Sequence, residues 1–106
     1  MATVAVRYGG DTVTHGETAV HIQCDDADTN TDTGYDADNY PASPAILYYF
    51  TAELSGQDDL VSNIFSPNGG HGYWEGVVLP AAGTWTVHLR DSADDSSVAN
   101  TTVEAV

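Results

Sequence analysis

Lysine is absent from this 106-residue chain and arginine occurs only as Arg7 and Arg90, against 16 aspartates and glutamates. The formal charge of −14 excludes partners that are themselves polyanions. Nothing in the chain could replace the counterions of a phosphate backbone, so nucleic acid is not an expected partner. An anionic membrane surface would repel it as well. No apolar run approaches the roughly 18 residues of a membrane span. No basic-then-apolar leader opens the chain; Met1-Ala2-Thr3 runs straight into a strand pattern, as in a small complete frame made in the cytoplasm or in a module cut from a larger protein. The single cysteine, Cys24, rules out an internal disulfide. Helical periodicity and internal repeats are also missing.

Catalytic signatures are equally scarce. No G-x-S-x-G elbow occurs, and the acid pairs Asp58-Asp59 and Asp94-Asp95 fall in turn sequences, where aspartate serves the backbone. Four histidines and Cys24 invite a zinc reading, but His21 and Cys24 lie three residues apart on a strand. They therefore point to opposite faces, whereas a tetrahedral site needs ligands that converge. The chain reads as non-enzymatic.

What is present is two-residue alternation punctuated by turns. Strands are expected at 3–8, 18–24, 45–54, 60–65, 73–79, 84–90 and 98–106, with a short edge piece at 12–14. Val20, Ile22 and Cys24 share one face of their strand, as do Trp85, Val87 and Leu89 of theirs. The run Ile46 to Phe50 has the look of a central strand apolar on both faces. Turn signals every 8–12 residues or so mark an all-β sandwich. At this length the chain is one domain, 1–106, with a long acidic loop at 25–43.

The stretch Gly83-Thr84-Trp85-Thr86-Val87 resembles the approach to the sixth strand of immunoglobulin-like sandwiches, where a Gly-x-aromatic run makes the tyrosine corner. The resemblance puts Trp85 at the aromatic position, Cys24 at the core cysteine of the second strand and Val87 at the position of its usual partner. It implies an immunoglobulin-like antiparallel β-sandwich of about seven strands. With Tyr49-Phe50, Phe65-Ser66-Pro67, Leu79-Pro80-Ala81-Ala82-Gly83 and the acidic turn 90–97 before the last strand, residues 45–106 are similar to the small immunoglobulin-like proteins on the virions of tailed bacteriophages. That likeness implies a capsid decoration or tail-associated role in the virion.

Two segments are candidates for binding. Gly69-Gly70-His71-Gly72-Tyr73-Trp74 combines glycines, which let a partner approach the backbone, with aromatics of the kind enriched at interface hot spots. Alternation sends one of Tyr73 and Trp74 inward and the other outward. In the acidic loop, Tyr35 and Tyr40 are docking candidates or local packing. That loop carries Asp25, Asp26, Asp28, Asp32, Asp36 and Asp38, and its Asp28, Asn30 and Asp32 have the D-x-N-x-D spacing of calcium loops. The pattern then departs: Gly34 comes one place late, and Asn39 stands where a bidentate glutamate belongs. Calcium binding and a simple solvated acidic linker both stay open.

Three readings of the charge are open: mutual repulsion that keeps copies soluble, docking on a basic partner surface, and adaptation to high salt. The expected function is a virion structural protein, foremost a phage head decoration protein binding the major capsid protein. A tail-associated, adhesion or carbohydrate-binding module, with calcium as a candidate cofactor, is the alternative. Open strand edges leave room for a homo-oligomer.

Overall fold

Apolar residues at every second position give each strand one face to bury, and two such faces closing on each other make the core. The computed structural model describes residues 1–29 and 46–106. Among these, seven strands and no helix form: β1 (Thr3–Arg7), β2 (Ala19–Asp25), β3 (Tyr48–Glu53), β4 (Leu60–Val61), β5 (Gly72–Val78), β6 (Gly83–Asp91) and β7 (Ser97–Ala105). They pair antiparallel in a three-stranded sheet, β1-β2-β5, and a four-stranded sheet, β4-β3-β6-β7. The architecture is the expected β-sandwich.

The inner faces are those of the alternation pattern. Val20, Ile22 and Cys24 from β2 are buried, as are Tyr48, Phe50 and Ala52 from β3 and Trp85, Val87 and Leu89 from β6. Cys24 and Val87 are both core residues, as the resemblance implied. Stacked rings bind the two sheets together. Phe50 of the four-stranded sheet stacks with Phe65 at 5.2 Å and with Trp74 of the three-stranded sheet at 6.4 Å.

Trp85 is fully buried, and its indole Nε1–H donates to the Ala81 carbonyl at 2.9 Å. A tryptophan thus does the work of the tyrosine corner: it satisfies its one polar atom on backbone four residues upstream. Gly83, at φ +146°, makes the turn possible, and a Cβ there would press on the Leu54 methyls.

Three expectations need correcting. The strand expected at 60–65 is cut to Leu60–Val61 because Ser62 competes with the ladder. Its Oγ accepts from the Phe50 N–H at 2.8 Å and donates to the Asn63 carbonyl at 2.9 Å. Ser62 keeps one backbone bond, its N–H donating to the Phe50 carbonyl at 2.9 Å, and Phe65 then exchanges both backbone bonds with Tyr48. The piece at 12–14 is a single parallel bridge, Val13 to Ala105, that drops Val13 into the core. The outward face of β3 is not apolar: Tyr49, Thr51 and Glu53 line it, and Leu47 precedes the strand and is exposed.

Trp85→Ala should cost about 3–5 kcal/mol, as for other buried large aromatics, and chemical denaturation measures it. Trp85→Phe keeps most of the packing and leaves the Ala81 carbonyl without its donor, so a smaller loss, about 1–2 kcal/mol, is expected beside it.

Candidate functional site

His71, Tyr73, Trp74 and Asp28, the described ones among the candidates singled out from the sequence, lie near the end of β2 and the start of β5. Asn68 and His71 exchange backbone hydrogen bonds at 3.0 and 3.1 Å across Gly69 and Gly70, whose φ values are +62° and +86°. Two positive φ values in succession define the tight hairpin turn that matches strand twist, which glycine adopts without strain. Gly70 also lies against the backbone of Asp26 and Ala27, and its carbonyl accepts from the Ala27 N–H at 3.0 Å. The turn is thereby pinned to the end of β2.

The pinning brings His71 to Asp25. His71 Nδ1 lies 2.7 Å from Asp25 Oδ1, and Gln23 donates to the same oxygen at 2.8 Å. Those hydrogen bonds, Gln23's first and His71's second, hold the Asp25 carboxyl below the usual carboxylate range. Beyond the turn, β5 sends Tyr73 out, 61% exposed, while Trp74 is half-buried against Phe50. Tyr73 is therefore the aromatic available to a partner, and Trp74 belongs to the packing. Phe65, Ser66, Asn68, His71, Gly72 and Tyr73 line a shallow groove of about 470 Å³. Gly72 is buried under the Phe65 ring, where a Cβ would overlap it.

Of the calcium candidates, Asp28 has an exposed side chain, and its backbone carbonyl accepts from the buried Tyr48 hydroxyl at 2.8 Å. Asn30, Asp32, Tyr35 and Tyr40 lie outside the described residues. Among the described residues no three His, Cys, Asp or Glu side chains are grouped to hold a metal ion. His21 is exposed, Cys24 is buried, and His88 stands on the outer face of the other sheet, as alternation required.

A second cluster was not legible in the sequence. On the outer face of the four-stranded sheet the β3–β6 register sets Arg90 opposite Tyr49 and His88 opposite Thr51. Arg90 Nη2 donates to Glu53 Oε2 at 2.8 Å, Nη1 to the Asp95 carbonyl at 2.8 Å, and Nε to Thr51 Oγ1 at 3.3 Å. Thr51 in turn donates to Glu53 at 2.6 Å, and Tyr49 donates to Asp95 at 2.6 Å. Hydrogen bonds from Thr51 and then Arg90 lower the Glu53 pKa, while the Glu53 carboxylate raises that of Arg90. No buried side-chain nitrogen or oxygen among the described residues lacks a hydrogen-bond partner, and the linked bonds of this cluster rigidify the face.

Cys24 is buried in the core, its thiol 3.9 Å from the Gly70 carbonyl. Burial pushes its pKa up to about 11, the opposite of what a nucleophilic thiol needs. In comparisons with known proteins, no family model, no curated protein and no solved structure matches this chain.

Three outcomes follow from these sites. A thiol reagent should leave Cys24 unmodified in the native protein and label it on unfolding. Because the folded thiol ionises later than the unfolded one, stability should begin to fall as pH rises above about 9. Glu53→Gln should cost about 0.5–1 kcal/mol near neutral pH, as for a partly exposed ion pair. The folded pKa of Glu53 is the lower one, so that difference should shrink as pH falls below the ordinary value of 4.5. Melting curves of both proteins across pH measure it.

Proposed function

We propose that this chain is a non-enzymatic binding module of a tailed-phage virion: a head decoration protein that docks on the major capsid protein. The observation that carries the docking half of this reading is Tyr73, a large ring 61% exposed on a β-strand beside a groove. A rigid aromatic loses little freedom on binding and gives up much apolar area, which is why such residues anchor interfaces. The turn that presents it is fixed by glycine geometry and by its bonds to residues 25–27, so the site is organised in advance of its partner. Asp25 and Asp26 flank it with negative charge, which suits a basic patch on the capsid and would speed and orient the encounter. The likeness of residues 45–106 to small immunoglobulin-like virion proteins supplies the virion half. Asn68 and His71 beside the Tyr73 ring also suit a sugar, which is the observation in favour of an adhesion module.

The test is co-sedimentation with capsids from the native source. The chain should travel with virus-sized particles in many copies, and Tyr73→Ala should weaken that binding at least tenfold while keeping the wild-type melting temperature. Binding to glycans instead, sensitive to a chelator, would favour the adhesion reading. A chain found only free in solution would count against both the capsid and the virion.

A further inference from the structure

Apart from the terminal Met1, the most exposed large apolar side chains among the described residues are Tyr73, Ile64 at 61% and Val61 at 59%. Tyr73 belongs to the groove described above. Val61 and Ile64 belong to the other sheet, and the strand register explains why they face water. Val61 stands opposite Thr51 on β3, and Thr51 stands opposite His88 on β6. Residues directly opposite share a face, so all three lie on the outer face of the four-stranded sheet. Ile64 precedes Phe65, whose ring stacks on the buried Phe50, and is itself left on the outside.

These two apolar side chains share a groove of about 570 Å³ with the Arg90 cluster. The buried Thr51 forms its floor, and Tyr49 lines it as well. Its charges are three carboxylates, of Glu53, Asp59 and Asp95, against the one guanidinium of Arg90. Arg90 is spent on Glu53 Oε2 and on the Asp95 backbone carbonyl, which leaves the exposed Asp59 and Asp95 side chains to give the groove its negative charge. The floor is ordered by its own hydrogen bonds, so a ligand would lose little in arranging it.

We propose that this groove binds a protein segment in which an arginine or lysine stands beside an aliphatic side chain. The lining selects that occupant. An anion would meet the acids, and a second copy brings the same charge of −14 and is repelled. A purely apolar partner would strip water from Asp59 and Asp95 and offer nothing in exchange. A basic residue answers both halves of the lining. Its methylene stem packs on Val61 and Ile64 while its head reaches the two carboxylates, with the Tyr49 ring as a further surface for a cation. The neighbouring aliphatic side chain covers what remains of the exposed apolar area. This groove shares no lining residue with the one beside Tyr73, so the inference does not rest on that site.

The test is an NMR titration of the isotope-labelled protein with the capped peptide Arg-Leu-Arg-Leu-Arg. Amide signals at 49–53, 60–64 and 90–95 should move together, with a Kd of about 1 mM or tighter. The capped peptide Arg-Ser-Arg-Ser-Arg has the same charge and no aliphatic side chain. It should bind about fivefold or more weakly and disturb the acidic turn at 25–28 as much as the groove. Ile64→Ser and Val61→Thr change exposed positions, so each should keep the wild-type melting temperature and weaken the leucine peptide about threefold or more. Asp59→Asn should weaken it too and flatten its dependence on salt. If a variant fails to fold, the comparison of the two peptides still decides. Equal affinity for both peptides would overturn the inference, because charge alone would then account for binding. So would no binding at about 5 mM peptide, or binding that the folded Ile64 and Val61 variants leave unchanged. Signals at 60–64 that move with protein concentration alone would make a second copy the occupant and also overturn it.

Discussion

The ladder between β3 and β6 is the constraint on which most of this molecule rests. It pairs Tyr48 with Asp91 through to Glu53 with Thr86, joining β3 to the strand that begins at the Gly83 corner. Its inner side sets Phe50 and Ala52 beside Leu89 and Val87, the centre of the core. Its outer side sets Tyr49 beside Arg90 and Thr51 beside His88. One register therefore fixes both the hydrophobic packing and the only ion pair between fully charged groups among the described residues. A slip of one residue would turn Phe50 and Leu89 to water and bury Arg90 and Glu53. The energetic gap between those two arrangements is what makes the fold unique.

The sandwich was legible because its signals are local. Trp85, Val87 and Leu89, like Val20, Ile22 and Cys24, declare an inner face by alternation alone, and glycine and proline clusters mark where strands turn. The division of labour between Tyr73 and Trp74 followed from the same rule once a strand was placed there. What escaped was whatever depends on pairing across the chain. The Arg90–Glu53–Thr51 cluster requires the β3–β6 register, and nothing in either segment names the other. His71 and Asp25 meet only because a two-glycine turn folds back onto the end of β2. Ser62 escaped for a different reason: its hydroxyl replaces a backbone partner, and from sequence a serine within a strand pattern looks harmless.

Charge is distributed with more order than composition suggests. The acids of the described residues gather at turns and ends, at 25–28, 58–59 and 91–95, where several also serve the backbone: Asp91 and Asp94 accept from the Ala93 and Ser96 N–H groups. Of the two arginines, Arg90 is bonded into its cluster, so the surface has almost no free cation of its own. Neutralisation must come from dissolved ions or from a partner. Long-range repulsion and short-range docking can coexist in such a molecule, because repulsion is screened within roughly 10 Å at ordinary salt while contacts act below that.

The Ser62 hydroxyl has a reach beyond the strand it shortens. A sheet with two open edges can add copies at both and lengthen without limit, the geometry of a fibre. β4 is stopped after two residues, and at the opposite edge residues 13–15 cover the end of β7. Neither edge of that sheet is then open along its whole length. A single side-chain oxygen, by taking the N–H of Phe50 for itself, thus helps keep this sheet from being lengthened at its β4 edge.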